Sequence, residues 1–336
     1  MSINAFGIDL GTNNIKIYNR ADDAILVEKN MIAIENKDTL FAYGDSAFEM
    51  YEKAPGNIHI SYPLSNGVIA DIKNMELLVK YFISDMTRSN IKPGDYYIAV
   101  PTDVTGVEKR AFYDLVKNAG VKARRVMVVE KAVADGLGLD IDVKNSQGVL
   151  IVNVGFHTTE ISILSLGGIV LSRLIKIGGQ KFDDAIRAAV RKEFSLIIGG
   201  KTAENVKMAL SDLEKEGKGA VVYGRDIVTG LPVERELPTQ LIDESLTELF
   251  HTIIDNVKVI LERTPPELAA DIYRHGIYLT GGASQVNHLA KLIQKGTGLK
   301  VNVSENPVTS VALGLSKIIK DDNYKSVAYA IEGMST

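Results

Sequence analysis

Short apolar runs bounded by glycine or charged residues alternate along this chain with stretches whose apolar positions recur at helical spacing. The runs at 96–100, 125–129, 148–153 and 276–280 read as strands, as does Ala5-Phe6-Gly7-Ile8 near the start. Residues 75–86 carry apolar side chains on one helical face. Thr105-Gly106-Val107-Glu108 has the spacing of a capping box and opens a helix ending near Asn118-Ala119-Gly120. A long amphipathic stretch over 244–263 is stopped by Pro265-Pro266. Residues 217–238, rich in glycine, charge and β-formers, predict a surface hairpin and loop. Strand and helix alternate throughout, which predicts α/β layers.

One internal repeat stands out. Ile8-Asp9-Leu10-Gly11-Thr12-Asn13-Asn14-Ile15-Lys16-Ile17-Tyr18 has the layout of Val152-Asn153-Val154-Gly155-Phe156-His157-Thr158-Thr159-Glu160-Ile161-Ser162. Each is an apolar strand, an acid or amide, a glycine turn with threonine nearby, and a second strand. Two such hairpins, near the start and the middle, predict duplicated halves facing each other. The length of 336 residues agrees, because one hydrophobic core stops growing below that size.

Composition narrows the function classes. Apolar residues are 46% and charged residues 24%, ordinary for a soluble protein with a sizeable core. A net charge of -4 gives no support for nucleic-acid wrapping, and Lys122-Ala123-Arg124-Arg125 is too short for a phosphate track. With no cysteine there is no disulfide, thiolate zinc site or thiol nucleophile, which fits a reducing cytosol. No signal segment and no apolar run of membrane-spanning length is expected.

The chemistry sits in the glycine turns. A tight turn exposes backbone N–H groups, and glycine lets that backbone approach an anion. Thr12, Asn13 and Asn14 add short donors and Lys16 a positive charge, a set suited to the β- and γ-phosphates of a nucleotide. Asp9, at the strand end, suits a water-mediated magnesium contact. A plain hairpin with a turn glycine is the bland alternative for either repeat. Thr280-Gly281-Gly282-Ala283-Ser284 adds a strand, a glycine turn and a helix start, an arrangement that docks anions. Ile177-Gly178-Gly179-Gln180-Lys181-Phe182-Asp183 likewise joins a strand to a helix. His59, His251, His275 and His288 are scattered without metal-ligand spacing and read as surface or hydrogen-bonded residues.

These residues carry a resemblance. Asp9-Leu10-Gly11-Thr12 resembles the first phosphate motif of the actin and heat-shock chaperone ATPases, and the chain is most similar to the MreB/Mbl bacterial actins. Matching segments include Pro63-Leu64-Ser65-Asn66-Gly67-Val68-Ile69-Ala70-Asp71, Val107-Glu108-Lys109-Arg110-Ala111, Thr229-Gly230-Leu231-Pro232, Thr264-Pro265-Pro266-Glu267-Leu268 and Leu279-Thr280-Gly281-Gly282. They keep family order to about Lys317. The resemblance implies an α/β, actin-like (ribonuclease H-like, duplicated) two-domain fold with a nucleotide cleft between domains. Domain I is expected at 1–141 plus 311–336, and domain II at 142–310. ATP or GTP with Mg²⁺ is the implied cofactor, bound by Thr12, Asn13, Asn14 and Lys16, by Gly155, Phe156, His157 and Thr158, by Glu204 and Lys207 near ribose and adenine, and by Gly281, Gly282, Ala283 and Ser284; Asp9 serves the metal.

The departures fall in the second loop and at the catalytic position. The family carries an aspartate and three glycines where this chain has Asn153, Gly155, Phe156 and His157. His157 is either a protonated imidazole neutralising phosphate or a steric substitution. A gapless alignment puts Lys131 where the family has the glutamate that orients the attacking water; a shift of one residue restores Glu130 there but needs a gap before Asn153. A lysine has no free acceptor with which to polarise water. Weak or absent ATP hydrolysis is therefore expected, against the alternative of tolerated variants in an active ATPase.

The implied function is a filament-forming bacterial actin acting in cell shape and cytoskeleton. Its partners are copies of itself, other bacterial actins and membrane-bound cell-wall machinery, with no nucleic acid. The rival readings are an active ATPase filament that positions cargo or plasmid, and a non-polymerising regulatory paralogue that binds other bacterial actins. The expected location is the cytoplasm, with filaments in weak peripheral membrane contact. In the loop at 85–93 only Met86 and Ile91 are apolar, so such contact rests on avidity.

Overall fold

The computed structural model describes residues 4–331. Residues 1–3 and 332–336, assigned to the first domain from the sequence, lie outside the described residues. The chain divides into two compact units, Met1–Ile151 with Ser162–Leu174 and Val308–Thr336, and Val152–Ile161 with Ile175–Pro307.

The first unit is built on a six-stranded sheet in the order Ala328–Tyr329, Ala123–Glu130, Gly94–Val100, Ala5–Leu10, Asn14–Asn19, Ala24–Lys29. The pairs made by Gly94–Val100 with its two neighbours are parallel, and the flanking pairs are antiparallel. Every residue of Ala5–Leu10 and of Gly94–Val100 is buried, as expected of central strands covered on both faces. The capping box at Thr105 and Glu108 forms as its spacing predicts and opens the helix Gly106–Asn118. The helix expected over 75–86 begins earlier, at Ile72, because Asp71 caps it: its carboxylate accepts from the Asn74 N–H at 3.0 Å. Phe6, Ile8, Ile17, Phe82, Ile98 and Phe112 belong to one core cluster.

Two further helices, Lys131–Gly138 and Ser310–Lys320, meet without side chains between them. A β-carbon on Gly314 would stand 1.6 Å from the Ala134 carbonyl oxygen, and one on Gly138 1.8 Å from that of Ser310. Gly7 makes a related contact, since its β-carbon would lie 2.8 Å from Cβ of Leu315. Glycine serves here for close approach of backbone to backbone.

In the second unit, Ile277–Thr280 and Val301–Val303 pair in parallel. The long helix runs over Thr239–Glu262, beginning before residue 244 because Pro238 precedes it in an extended conformation. Ile242, Leu246, Phe250, Ile253, Val257 and Ile260 form its buried stripe. Phe250 meets Phe182 edge to face at 5.4 Å between centroids. The predicted hairpin forms from Ala220–Asp226 and Pro232–Leu237; Asp226 closes its turn by accepting from the N–H groups of Val228 and Thr229. Among the described residues no helix is long and apolar enough to cross a membrane.

Candidate functional site

The first turn is small, polar and braced. Asp9 and Lys16 are register partners on adjacent strands, and Lys16 Nζ donates to Asp9 Oδ2 at 3.0 Å with both side chains largely buried. The cation expected to meet phosphate directly thus also neutralises the carboxylate expected to serve magnesium. A β-carbon on Gly11 would lie 2.6 Å from the Asn14 carbonyl oxygen and 2.7 Å from Lys16 Nζ, so the turn closes only around glycine.

Asn30, which carries no signal in the sequence, holds the turn from behind. Its side-chain amide donates to the Gly11 carbonyl at 2.9 Å and its backbone N–H to that of Asn13 at 2.9 Å. Asn30 is fully buried, and its Oδ1 has no partner among the described residues. Such an orphan acceptor is costly unless water or a ligand group reaches it. Lys29 Nζ donates to Asn13 Oδ1 at 3.3 Å and lies over the Phe48 ring. Asp9, Lys16 and Lys29 together leave this turn with a net positive charge, which suits an anion.

Register places the catalytic candidates at the same edge of the sheet. Asp9 and Val129 are both partners of Ala99, and Glu130 pairs with Val100. Asp9 and Glu130 therefore lie at the carboxyl ends of parallel strands, two strands apart, the usual ligand edge of an α/β sheet. Glu130 Oε1 accepts from Lys109 Nζ at 2.5 Å and from the Tyr329 hydroxyl at 2.8 Å, while Oε2 is buried without a partner among the described residues. Burial, then the Glu130 carboxylate, push the Tyr329 hydroxyl above its ordinary range, so it stays a donor. Lys131 is half-buried and is the first residue of its helix.

The second turn is aromatic. Its backbone closes as Gly155 N–H donates to the Thr158 carbonyl at 2.8 Å. The Phe156 and His157 rings stack, with centroids 5.1 Å apart and planes 18° apart. Burial holds the His157 imidazole below the ordinary histidine range despite the pull of Asp184, so it is neutral at neutral pH. Of the two readings left open by the sequence, the neutral ring fits this environment.

The glycine pair Gly178-Gly179 abuts this loop. The Gly155 and Phe156 carbonyls accept from the N–H groups of Gly179 at 3.0 Å and Gln180 at 2.8 Å. A β-carbon on Gly178 would meet both carbonyl oxygens, at 2.4 and 2.6 Å. One on Gly179 would touch Phe156, Ala283 and Lys207 Nζ at 3.4–3.5 Å, so three of the candidate residues converge on that point. Gly281 has φ +89°, and a β-carbon there would lie 2.3 Å from the Val154 carbonyl and 2.7 Å from Asn153 Oδ1. The glycine wall and the second turn are thus in contact, and Ser284 Oγ donates back to the Gly281 carbonyl at 2.7 Å.

Glu204 and Lys207 are one helical turn apart on Gly200–Glu216. Lys207 pairs with Asp183 at 2.6 Å, both nearly buried, and reaches the Gly179 carbonyl at 3.3 Å. Burial pushes the Asp183 carboxyl up to about 6; Lys207 opposes the rise, while Glu204 and Asp184 add to it. Asp183 lies inside a motif visible in the sequence, but its pairing with Lys207 depends on helix packing.

In the loop at 85–93, Met86 ends the preceding helix, and it and Ile91 are half-buried. Met86 and Ile91 pack against the core cluster of the first unit, so Asp85, Arg88, Ser89, Asn90, Lys92 and Pro93 face outward.

The duplicated glycine turns and the α/β layers define an actin-like fold. A sequence profile of the MreB/Mbl protein family matches residues 3–326. The cell shape-determining protein Mbl of Bacillus subtilis (strain 168) is 35% identical over 92% of this chain and 93% of its own length. The cell shape-determining protein MreB of Escherichia coli (strain K12) is also 35% identical, over 95% of this chain and 94% of its own. Among solved structures, MreB5 of Spiroplasma citri bound to AMPPNP is 34% identical, covers 97% of this chain and 98% of its own, and superposes with a TM-score of 0.89; its ADP-bound form gives 0.88. The chain belongs to the MreB/Mbl family.

Proposed function

We propose that this chain is a nucleotide-binding, filament-forming cytoskeletal protein acting in cell shape, with ATP hydrolysis that is slow or lost. The observation that carries the hydrolysis reading is Lys131 as first residue of the helix after the strand ending in Glu130, with Glu130 itself engaged by Lys109 and Tyr329. A carboxylate held by two donors has one oxygen left, and a lysine has no free acceptor for an attacking water.

Nucleotide binding is supported by the glycine cradle at Gly11 and by its net positive turn, and by the solved MreB5 complexes with ADP and AMPPNP. Thr12, Asn13, Asn14 and Lys16 would hold phosphate, with Asp9 serving Mg²⁺ through water. Gly155, Phe156, His157 and Thr158 would line the second phosphate loop, Glu204 and Lys207 the nucleoside, and Gly281, Gly282, Ala283 and Ser284 the wall beside it. The magnesium supplies charge neutralisation when bound; the chain's own residues orient and shield the phosphates. Peripheral membrane contact, if filaments make it, would draw on many weak copies of one surface rather than on the loop at 85–93.

Sedimentation and electron microscopy under ATP, ADP and no nucleotide, run beside a phosphate-release assay, test this. Polymers that form with ATP while release stays at the buffer rate are the expected result. Turnover like that of ordinary bacterial actins overturns the hydrolysis reading, and a chain that stays in the supernatant throughout overturns the filament reading.

A further inference from the structure

Away from the glycine turns, three elements of the second unit bring together groups that no part of the proposed function uses. Glu214 lies in the last turn of Gly200–Glu216, Asp243 in the first turns of Thr239–Glu262, and His288 just before Leu289–Thr297. Their ligand atoms all fall within 4.8 Å of one another, with each residue half-buried. His288 Nε2 stands 3.0 and 3.2 Å from the two Glu214 oxygens and 3.9 Å from Asp243 Oδ1. Asn287 Nδ2 lies 2.5 Å from Glu214 Oε2 and 3.0 Å from His288 Nε2.

The triangle of Glu214, His288 and Asn287 sets donors and acceptors in competition while the Glu214 carboxyl is ionised. With Nε2 protonated, the ring donates to Glu214 but faces the donating amide of Asn287. With Nε2 bare, it accepts from Asn287 but turns a lone pair toward carboxylate oxygens. Turning the amide moves the conflict to Asn287 and Glu214, because its oxygen then faces a carboxylate. With Glu214 ionised and Nε2 on this side, each of these arrangements leaves one like-with-like contact at about hydrogen-bond distance, which a proton on the carboxyl would also relieve. A cation among these atoms removes the conflict, since all of them then present lone pairs to it. Metal–ligand bonds of about 2.0–2.1 Å put tetrahedral neighbours roughly 3.3 Å apart, a spacing met by His288 Nε2 and the Glu214 oxygens, while Asp243 stands farther off at 3.9 Å.

We infer that Glu214, Asp243 and His288, with the Asn287 amide oxygen as a fourth donor, form a site for a divalent first-row transition ion of the zinc class. One imidazole and two carboxylates suit such ions, whereas calcium and magnesium favour all-oxygen sets. The ion would join the end of the helix carrying Glu204 and Lys207, the start of the long helix, and the segment following Gly281–Ser284. His288, read from the sequence as a surface or hydrogen-bonded residue, would serve here as a ligand.

The test uses the untagged full chain, stripped with chelator and kept free of nucleotide. Calorimetric titration with zinc is expected to give one ion per chain, and saturating zinc to raise the melting temperature by about 5 °C. Cobalt should give a visible absorption band that zinc abolishes. H288A and E214Q, checked for folding by circular dichroism, should each weaken zinc binding by about 10–100-fold. Absence of both the calorimetric signal and the cobalt band in the wild-type chain overturns the inference. So does wild-type affinity retained in the folded H288A/E214Q double variant, which would put the ion elsewhere. If a variant fails to fold, the wild-type titration and cobalt band decide alone.

Discussion

The two glycine turns share a backbone plan and differ in nearly every side chain. In the first, Thr12, Asn13 and Asn14 are short donors, Gly11 sits where no β-carbon fits, and Lys29 and Asn30 brace the loop from the neighbouring strand's end. In the second, stacked Phe156 and His157 occupy the loop, and the imidazole is held neutral by burial. Bracing is kept in both, by Asn30 in one and by the N–H groups of Gly179 and Gln180 in the other. A loop's path can thus outlast its chemistry, because backbone closure depends on glycine and carbonyl placement while anion binding depends on what the remaining side chains offer.

The sharpest way to test that contrast is to restore the lost chemistry. Lys131→Glu combined with Asn153→Asp is expected to raise phosphate release about 100-fold, the usual worth of a positioned general base; an unchanged rate would break the link between these residues and slow turnover. Next in size, Gly11→Ala should weaken fluorescent-nucleotide binding by about 10–100-fold in a chain that still folds, since relieving the collision with the Asn14 carbonyl distorts the turn. Replacing both rings, Phe156→Gly with His157→Gly, should act oppositely and tighten binding by roughly 10-fold if two freed backbone N–H groups reach phosphate. Weaker binding there would mean the rings stack on the nucleotide instead.

The smallest effect concerns pH. Asp183 titrates near 6, and its protonation removes the negative charge that neutralises Lys207. Affinity for an anionic nucleotide should therefore rise as pH falls through that value, by a few-fold between about pH 7.5 and 5.5. The nucleotide's own ionisation enters both arms equally, so Asp183→Asn is the control: its affinity ratio across the same range should shrink.

What was legible in the sequence was what local pattern encodes. The capping box at Thr105 and the strand–glycine–strand repeat both depend on residues a few positions apart, and both form as their spacing predicts. Helix starts at Ile72 and Thr239 were misjudged because Asp71 and Pro238 govern them from outside the apolar stripe. Asn30, the Asp183–Lys207 pair and the grouping of His288 with Glu214 were not legible at all. Each joins residues separated by between about 20 and 75 positions, and only packing decides which distant side chains meet.

The glycines at 7, 138 and 314 act as gauge blocks of zero thickness. They let the helix Ser310–Lys320 rest directly on Lys131–Gly138 and on the strand that carries Asp9, so this late helix helps to hold the first turn at its height. A methyl group added at any of the three would be felt as a tilt in a loop made by the opening residues, with no residue of that loop altered.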